Sequence, residues 1–90
     1  MRITFDAVKR DKTLIERGLD FARAREIFEG LTITMPDQRQ EYGEARFLTA
    51  GWLDERIVIV VWTPRGLARR IISMRKANER EIAKYGQSLE

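Results

Sequence analysis

Ninety residues leave room for one hydrophobic core and one functional surface, and 43% hydrophobic against 34% charged residues is the balance of a folded globular chain rather than a disordered one. With no cysteine and no histidine, disulfides, thiolate metal sites, thiol nucleophiles, Ser-His-Asp hydrolysis and histidine-ligated zinc are all excluded, so proton transfer in any reaction must fall to Lys, Arg, Tyr, Asp or Glu. The net charge of +3 is unevenly spread: residues 1–50 hold nine basic against nine acidic side chains, whereas Pro64 to Lys84 hold seven against two.

Ile3 and Phe5 alternate with their neighbours as a short first strand, and Asp6 is placed to cap a helix from Ala7 to about Arg17, which Gly18 ends. Asp20 is a second cap. Phe21, Ala24, Ile27 and Phe28 then recur at helical spacing up to Gly30, which predicts two antiparallel helices joined by a tight turn. From Leu31 the period changes to two, with Leu31, Ile33 and Met35 alternating against threonines until Pro36 and Asp37 stop the strand. Gln38 to Gly43 reads as a polar loop, Ala45 to Leu53 as a strand and Asp54-Glu55 as a hairpin turn. The run Ile57 to Trp62 is apolar and mostly β-branched, which suits a central strand buried on both faces. Thr63-Pro64-Arg65-Gly66 predicts a turn and Leu67 to about Met74 a last strand; Asn78 with Glu81 predicts a capping box for a final helix carrying Ile82 and Tyr85. The order β-α-α-β-β-β-β-α predicts a single α+β domain over residues 1–86, a mainly antiparallel twisted sheet packed by helices, with 87–90 a frayed tail.

The strongest candidate for chemistry is the cluster Arg65, Arg69, Arg70, Arg75, Lys76, Arg80 and Lys84, because planar guanidinium groups suit phosphate oxygens. The plainer alternative is a solvated strand edge and helix face. On a strand from Leu67, Arg69 and Arg75 share one face and Arg70 the other, so the cluster cannot all point at one ligand. Lys9, Arg10 and Lys12 form a second basic group on the first helix, where Lys12 and Glu16 also have the spacing of an ordinary surface ion pair. Tyr85 is either a core residue with its hydroxyl at the rim or a proton donor, and Trp52 and Trp62 are read as sheet core before base-stacking platforms.

In this order and spacing the stretches resemble BrnT, the toxin of a type II toxin-antitoxin pair, within the RelE/ParE superfamily. The family's F/W-D-x-x-K and K-H-G-[VI]-x-F are met by Phe5-Asp6-Ala7-Val8-Lys9 and Glu16-Arg17-Gly18-Leu19-Asp20-Phe21, with Ala24 and Phe28 following. Its R-[FY]-x-x-G, T-x-R-G, R-I-I-S-A-R-x-A and E-x-x-x-Y are met by Arg46 to Gly51, Thr63 to Gly66, Arg70 to Ala77 and Glu81 to Tyr85. The chain departs from the pattern at Thr13, where the family has asparagine, and at Glu16-Arg17, where it has Lys-His; the Arg46 motif is one residue longer.

The resemblance implies a RelE-like fold and an endoribonuclease that halts translation by cleaving mRNA. It also implies a ribbon-helix-helix antitoxin of the BrnA type, a complex of two toxins with two antitoxins, and operator DNA bound only through the antitoxin. For such a reaction the RNA's own 2'-OH is the nucleophile, so neither cofactor nor metal is required. Candidate catalytic residues are Lys9, Lys12, Arg65, Arg70, Arg75 and Tyr85, with Arg69, Lys76 and Arg80 as RNA-binding residues. The rival readings are a gyrase-type target, a non-catalytic nucleic-acid binder, and a module whose basic face meets an acidic protein. No run approaches the ~20 apolar residues needed to cross a bilayer, and Met1 to Asp6 lack the apolar core of a secretion signal, so a cytoplasmic location without a membrane partner is expected.

Overall fold

The run Ile57 to Trp62 forms the middle of the molecule, every residue of it buried. In the computed structural model, which describes residues 1–90, it belongs to the longest strand of a five-stranded open sheet. The strands are β1 (Arg2–Phe5), β2 (Thr32–Pro36), β3 (Phe47–Leu53), β4 (Arg56–Arg65) and β5 (Ala68–Lys76), in the spatial order β1-β5-β4-β3-β2. β1 runs parallel to β5 and the other neighbours are antiparallel. Three helices complete this α+β fold: α1 (Ala7–Arg17), α2 (Ala24–Glu29) and α3 (Glu79–Tyr85).

Two apolar clusters explain why β4 is hydrophobic on both sides. On one face Val58, Val60 and Trp62 pack with Phe21, Ala24 and Ile27 from the α2 region; on the other Ile57 and Ile59 pack with Tyr85 and Leu89 from the α3 region. These are called the α2 face and the α3 face below.

The local signals act as their chemistry requires. The Asp6 carboxylate accepts from Lys9 N at the start of α1, Gly18 ends that helix at φ 70°, and Asn78 and Glu81 form the reciprocal capping box of α3. Asp54 and Glu55 both take positive φ (50° and 65°), as a two-residue hairpin requires, and Arg23 holds the Asp54 carboxylate from across the chain at 2.6 and 2.8 Å.

Three boundaries differ most from the sequence expectation. The second helix begins as a 3-10 turn (Phe21–Arg23), because Asp20 accepts from Ala22 N and tightens the first turn. β3 begins at Phe47 rather than Ala45, since the Ala45 carbonyl accepts from the Thr63 hydroxyl and the Arg46 carbonyl from Asp37 N. β4 continues through Thr63, Pro64 and Arg65, and the chain turns at Gly66-Leu67. Proline is tolerated there because β3 ends opposite Trp62, leaving β4 without a neighbour on that side.

The last residues dock rather than fray. Gln87–Leu89 form a 3-10 turn, Leu89 is buried in the α3-face cluster, and the Trp52 indole N–H donates to its carbonyl at 2.7 Å. Removing residues 87–90 is expected to cost about 2–4 kcal/mol, the order of a buried leucine deletion, read as a lower urea midpoint at unchanged slope.

Candidate nucleic-acid interface

The arrangement of the basic residues turns on one irregularity in β5. Val61 pairs with Ser73 but Trp62 pairs with Ile71, so Ile72 is an extra residue, a β-bulge. A bulge shifts the two-residue alternation by one. Ile71 and Met74 therefore both face the α2 core, while Arg70, opposite Thr63, and Arg75, opposite Ile59, both face the α3 side. Arg65 shares that side by its alternation with Thr63. The expectation that Arg70 opposes Arg75 is thus corrected: Arg65, Arg70 and Arg75 share one face, and Arg69 lies on the other.

Each of these arginines has a different environment. Arg75 is bound bidentately by Glu81 at 2.7 and 2.9 Å, which raises the guanidinium pKa and lowers that of the carboxyl. Arg65 reaches Glu44 at 3.2 Å, and the same carboxylate lies 3.6 Å from Arg46. Arg70 is half-buried with no carboxylate within 4.0 Å; its charge helps lower the pKa of Asp6, after the larger effect of the Lys9 backbone N–H. It is the least committed of the three.

Helix α1 follows β1, and the Arg17 guanidinium donates to the Met74 carbonyl at 2.8 Å, so the helix borders β5 beyond the end of β1. The seam is a groove of about 340 Å³ lined by Lys9, Lys12, Thr13, Glu16, Arg17 and the β5 pair Ile72-Ser73. Positions 9, 12, 13 and 16 recur at helical spacing, which places them on one side of α1. The Lys12–Glu16 ion pair that the spacing allows is not formed within 4.0 Å. Both side chains are free to meet a ligand.

The other candidates lie elsewhere. The Arg69 guanidinium stacks 4.5 Å from both the Phe28 and Trp62 rings on the α2 face, sealing the core edge. Tyr85 is buried and its hydroxyl donates to Met35 Sδ at 3.2 Å. Met35 belongs to β2, three strand spacings or roughly 14 Å from β5, so the phenol does not join the α1 groove. Lys76 and Arg80 are exposed at the far end of β5 and on α3.

Two arginines near this face come from the half of the chain that is balanced in charge. Asp37 is buried, and Arg39 binds its carboxylate bidentately at 2.8 Å, lowering its pKa to about 2, with the Tyr42 hydroxyl adding a third donor. This latch folds the 37–46 loop so that Arg39 is close enough to oppose Arg75 electrostatically, while the Arg46 guanidinium sits 3.9 Å over the Tyr42 ring. The sequence does not single them out: Arg39 lies within the polar loop and Arg46 at the start of the stretch read as the next strand.

A family model described as a ribonuclease toxin, BrnT, of type II toxin-antitoxin systems matches residues 5–81. The chain belongs to the BrnT family. It is therefore placed among ribonuclease toxins, and the type II arrangement implies an antitoxin partner and an RNA target. The matched stretch takes in the α1 groove, the bulged β5 and the Arg75–Glu81 pair of this BrnT member, and ends four residues before Tyr85. No curated protein matches the chain. No helix is long and apolar enough to cross a membrane.

Proposed function

We propose that this BrnT-family chain is a metal-independent endoribonuclease with a RelE-like fold, which cleaves mRNA by attack of the 2'-OH on the adjacent phosphate and so stops translation. The observation that carries the reading is the bulge at Ile72, because it gathers Arg65, Arg70 and Arg75 on one sheet face bordered by the α1 lysines.

Cleavage of this kind needs a base for the 2'-OH proton, cations for the charge that develops on the phosphorane, and an acid for the departing 5'-oxygen. Arg70, uncommitted to any carboxylate, is the phosphate ligand, and Lys9 and Lys12 supply further charge and the proton for the leaving oxygen. Arg65 and Arg75, each tethered by a glutamate, hold the strand on either side, with Arg39 and Arg46 extending that surface. Tyr85, whose hydroxyl donates to Met35, packs beside Ile59 and near enough to Arg75 to act on it electrostatically, and is given no proton-transfer role in this reading. Arg69 takes no part, since its stacking between Phe28 and Trp62 fits a role in the fold.

The inhibitor in this reading is a BrnA-type ribbon-helix-helix antitoxin in a complex of two toxins and two antitoxins, which contacts operator DNA through the antitoxin. The basic face also suits an acidic antitoxin segment, so inhibition can act by covering the substrate site.

The test is to incubate end-labelled RNA with the purified protein in EDTA, alone and in a translation extract, beside RNA carrying 2'-O-methyl groups. Cleavage of the ribose strand and not of the methylated one is expected, leaving a 2',3'-cyclic phosphate. Intact RNA throughout, from folded protein that blocks gyrase, would replace this reading with a gyrase-type target.

A further inference from the structure

We infer that Glu16 is the general base of this groove, an assignment that rests on the cleavage reading above. A base must be unprotonated near neutral pH and must border the phosphate, and in a chain without histidine a carboxylate is the side chain ionised under those conditions. The exposed lysines of the groove supply ammonium groups, which give protons rather than take them.

Four carboxylates around the basic face are otherwise engaged. Asp6 caps α1, Asp37 is held by Arg39, Glu44 lies between Arg65 and Arg46, and Glu81 binds Arg75 while capping α3. A carboxylate gripped by a guanidinium has its proton affinity lowered and its lone pairs occupied, which makes it a poor base. Glu16 lines the groove with Lys9 and Lys12, is exposed, and accepts from no side chain within 4.0 Å. The same position carries lysine in the family pattern, so this assignment concerns the present chain alone.

Helical geometry supplies the spacing. Glu16 lies one turn beyond Lys12, a rise of about 6 Å, and Lys9 about 4.5 Å on the other side of Lys12. In-line displacement places base and acid on opposite sides of the phosphorus, and a carboxylate and an ammonium one turn apart on the same helix face can flank a phosphate in that way. The carboxylate takes the 2'-OH proton, the 2'-oxygen forms a bond to phosphorus, and the bond from phosphorus to the 5'-oxygen breaks. Lys12 protonates that oxygen. The products are a 2',3'-cyclic phosphate and a 5'-hydroxyl, and water returns the proton from Glu16 to Lys12.

The sign of the charge change makes the test selective. Glu16→Gln removes a negative charge that repels RNA, so a merely electrostatic or solvated glutamate predicts tighter binding and cleavage no slower than before. A base predicts tighter or equal binding to 2'-O-methyl RNA together with a fall in single-turnover cleavage of about 10²-fold or more, and loss of the rise in rate from acid to neutral pH. Glu16→Asp should keep that rise at a reduced rate. Wild-type cleavage with an unchanged rate and pH profile in Glu16→Gln overturns the assignment and leaves the ribonuclease reading standing. A wild-type protein inert on free RNA and in the extract overturns both.

Discussion

Replacing Arg70 with alanine is expected to slow RNA cleavage by about 10²- to 10³-fold, the cost of removing one preorganised donor to a developing anion, without unfolding the protein. Arg70 stands apart from its neighbours on the same face. Arg75→Ala would strip Glu81 of its bidentate partner, and Arg65→Ala would leave Glu44 with Arg46 alone, so loss of activity in either variant mixes chemistry with altered packing. Arg70 has no carboxylate within 4.0 Å, and its side chain is half-exposed, so its removal leaves no internal charge unpaired. Single-turnover cleavage of labelled RNA, with circular dichroism and the urea midpoint to show an intact fold, would read the effect. Cleavage within about threefold of wild type would remove Arg70 from the reaction and shift the phosphate site towards Arg75, since removing a genuine oxyanion donor costs far more. The double change Arg65→Ala with Arg75→Ala is expected to abolish cleavage as well, by loss of strand binding.

Trp62→Ala is expected to destabilise the protein by about 3–5 kcal/mol, a large share of the about 5–15 kcal/mol that a domain commonly has. The indole joins several parts of the α2 face at once. It meets Phe28 edge-on with ring centroids 5.6 Å apart, lies 5.0 Å from Phe47, supports the Arg69 guanidinium, and donates from its N–H to the Thr49 hydroxyl at 2.8 Å. Thr49 is fully buried and its hydroxyl is shared with Thr34, so the deletion leaves a cavity and weakens a buried polar chain. Trp62→Phe keeps most of the volume and loses the hydrogen bond, and should cost about 1–2 kcal/mol. Urea unfolding of the three proteins separates the two contributions. Equal midpoints for wild type and Trp62→Ala would mean that Arg69 and Phe28 close over the gap.

The candidate site was legible in residue type and only partly in position. A basic C-terminal quarter and the lysines of the first helix are residue types that suit phosphate, and the absence of histidine confines any proton transfer to a few side chains. Strand parity, applied to Leu67 to Met74 as an unbroken strand, separates Arg70 from Arg75. One unpaired residue at Ile72 reverses that conclusion, because side chains alternate with a period of two and a single insertion moves every later residue to the opposite face. Arg39 enters through the Asp37 latch, and nothing in a polar loop of mixed charge marks such a fold-back. Tyr85 matches the family's closing motif, but its hydroxyl points to the far edge of the sheet.

What the amino-acid order determined alone was whatever depends on near neighbours in the chain. Asp6 and Asn78 cap the helices that follow them, Gly18 ends α1, Asp54-Glu55 turns a hairpin, and six apolar residues in a row demand a strand covered on both sides. The tertiary structure decided the matters that require a partner distant in sequence. The bulge exists because β5 must satisfy β4, whose inward residues are already set by two cores. The tail is ordered because Trp52 and the α3-face cluster receive Leu89. Arg69 became part of the fold and Arg70 remained free for a ligand because the aromatic rings of Phe28 and Trp62 lie on only one side of the sheet.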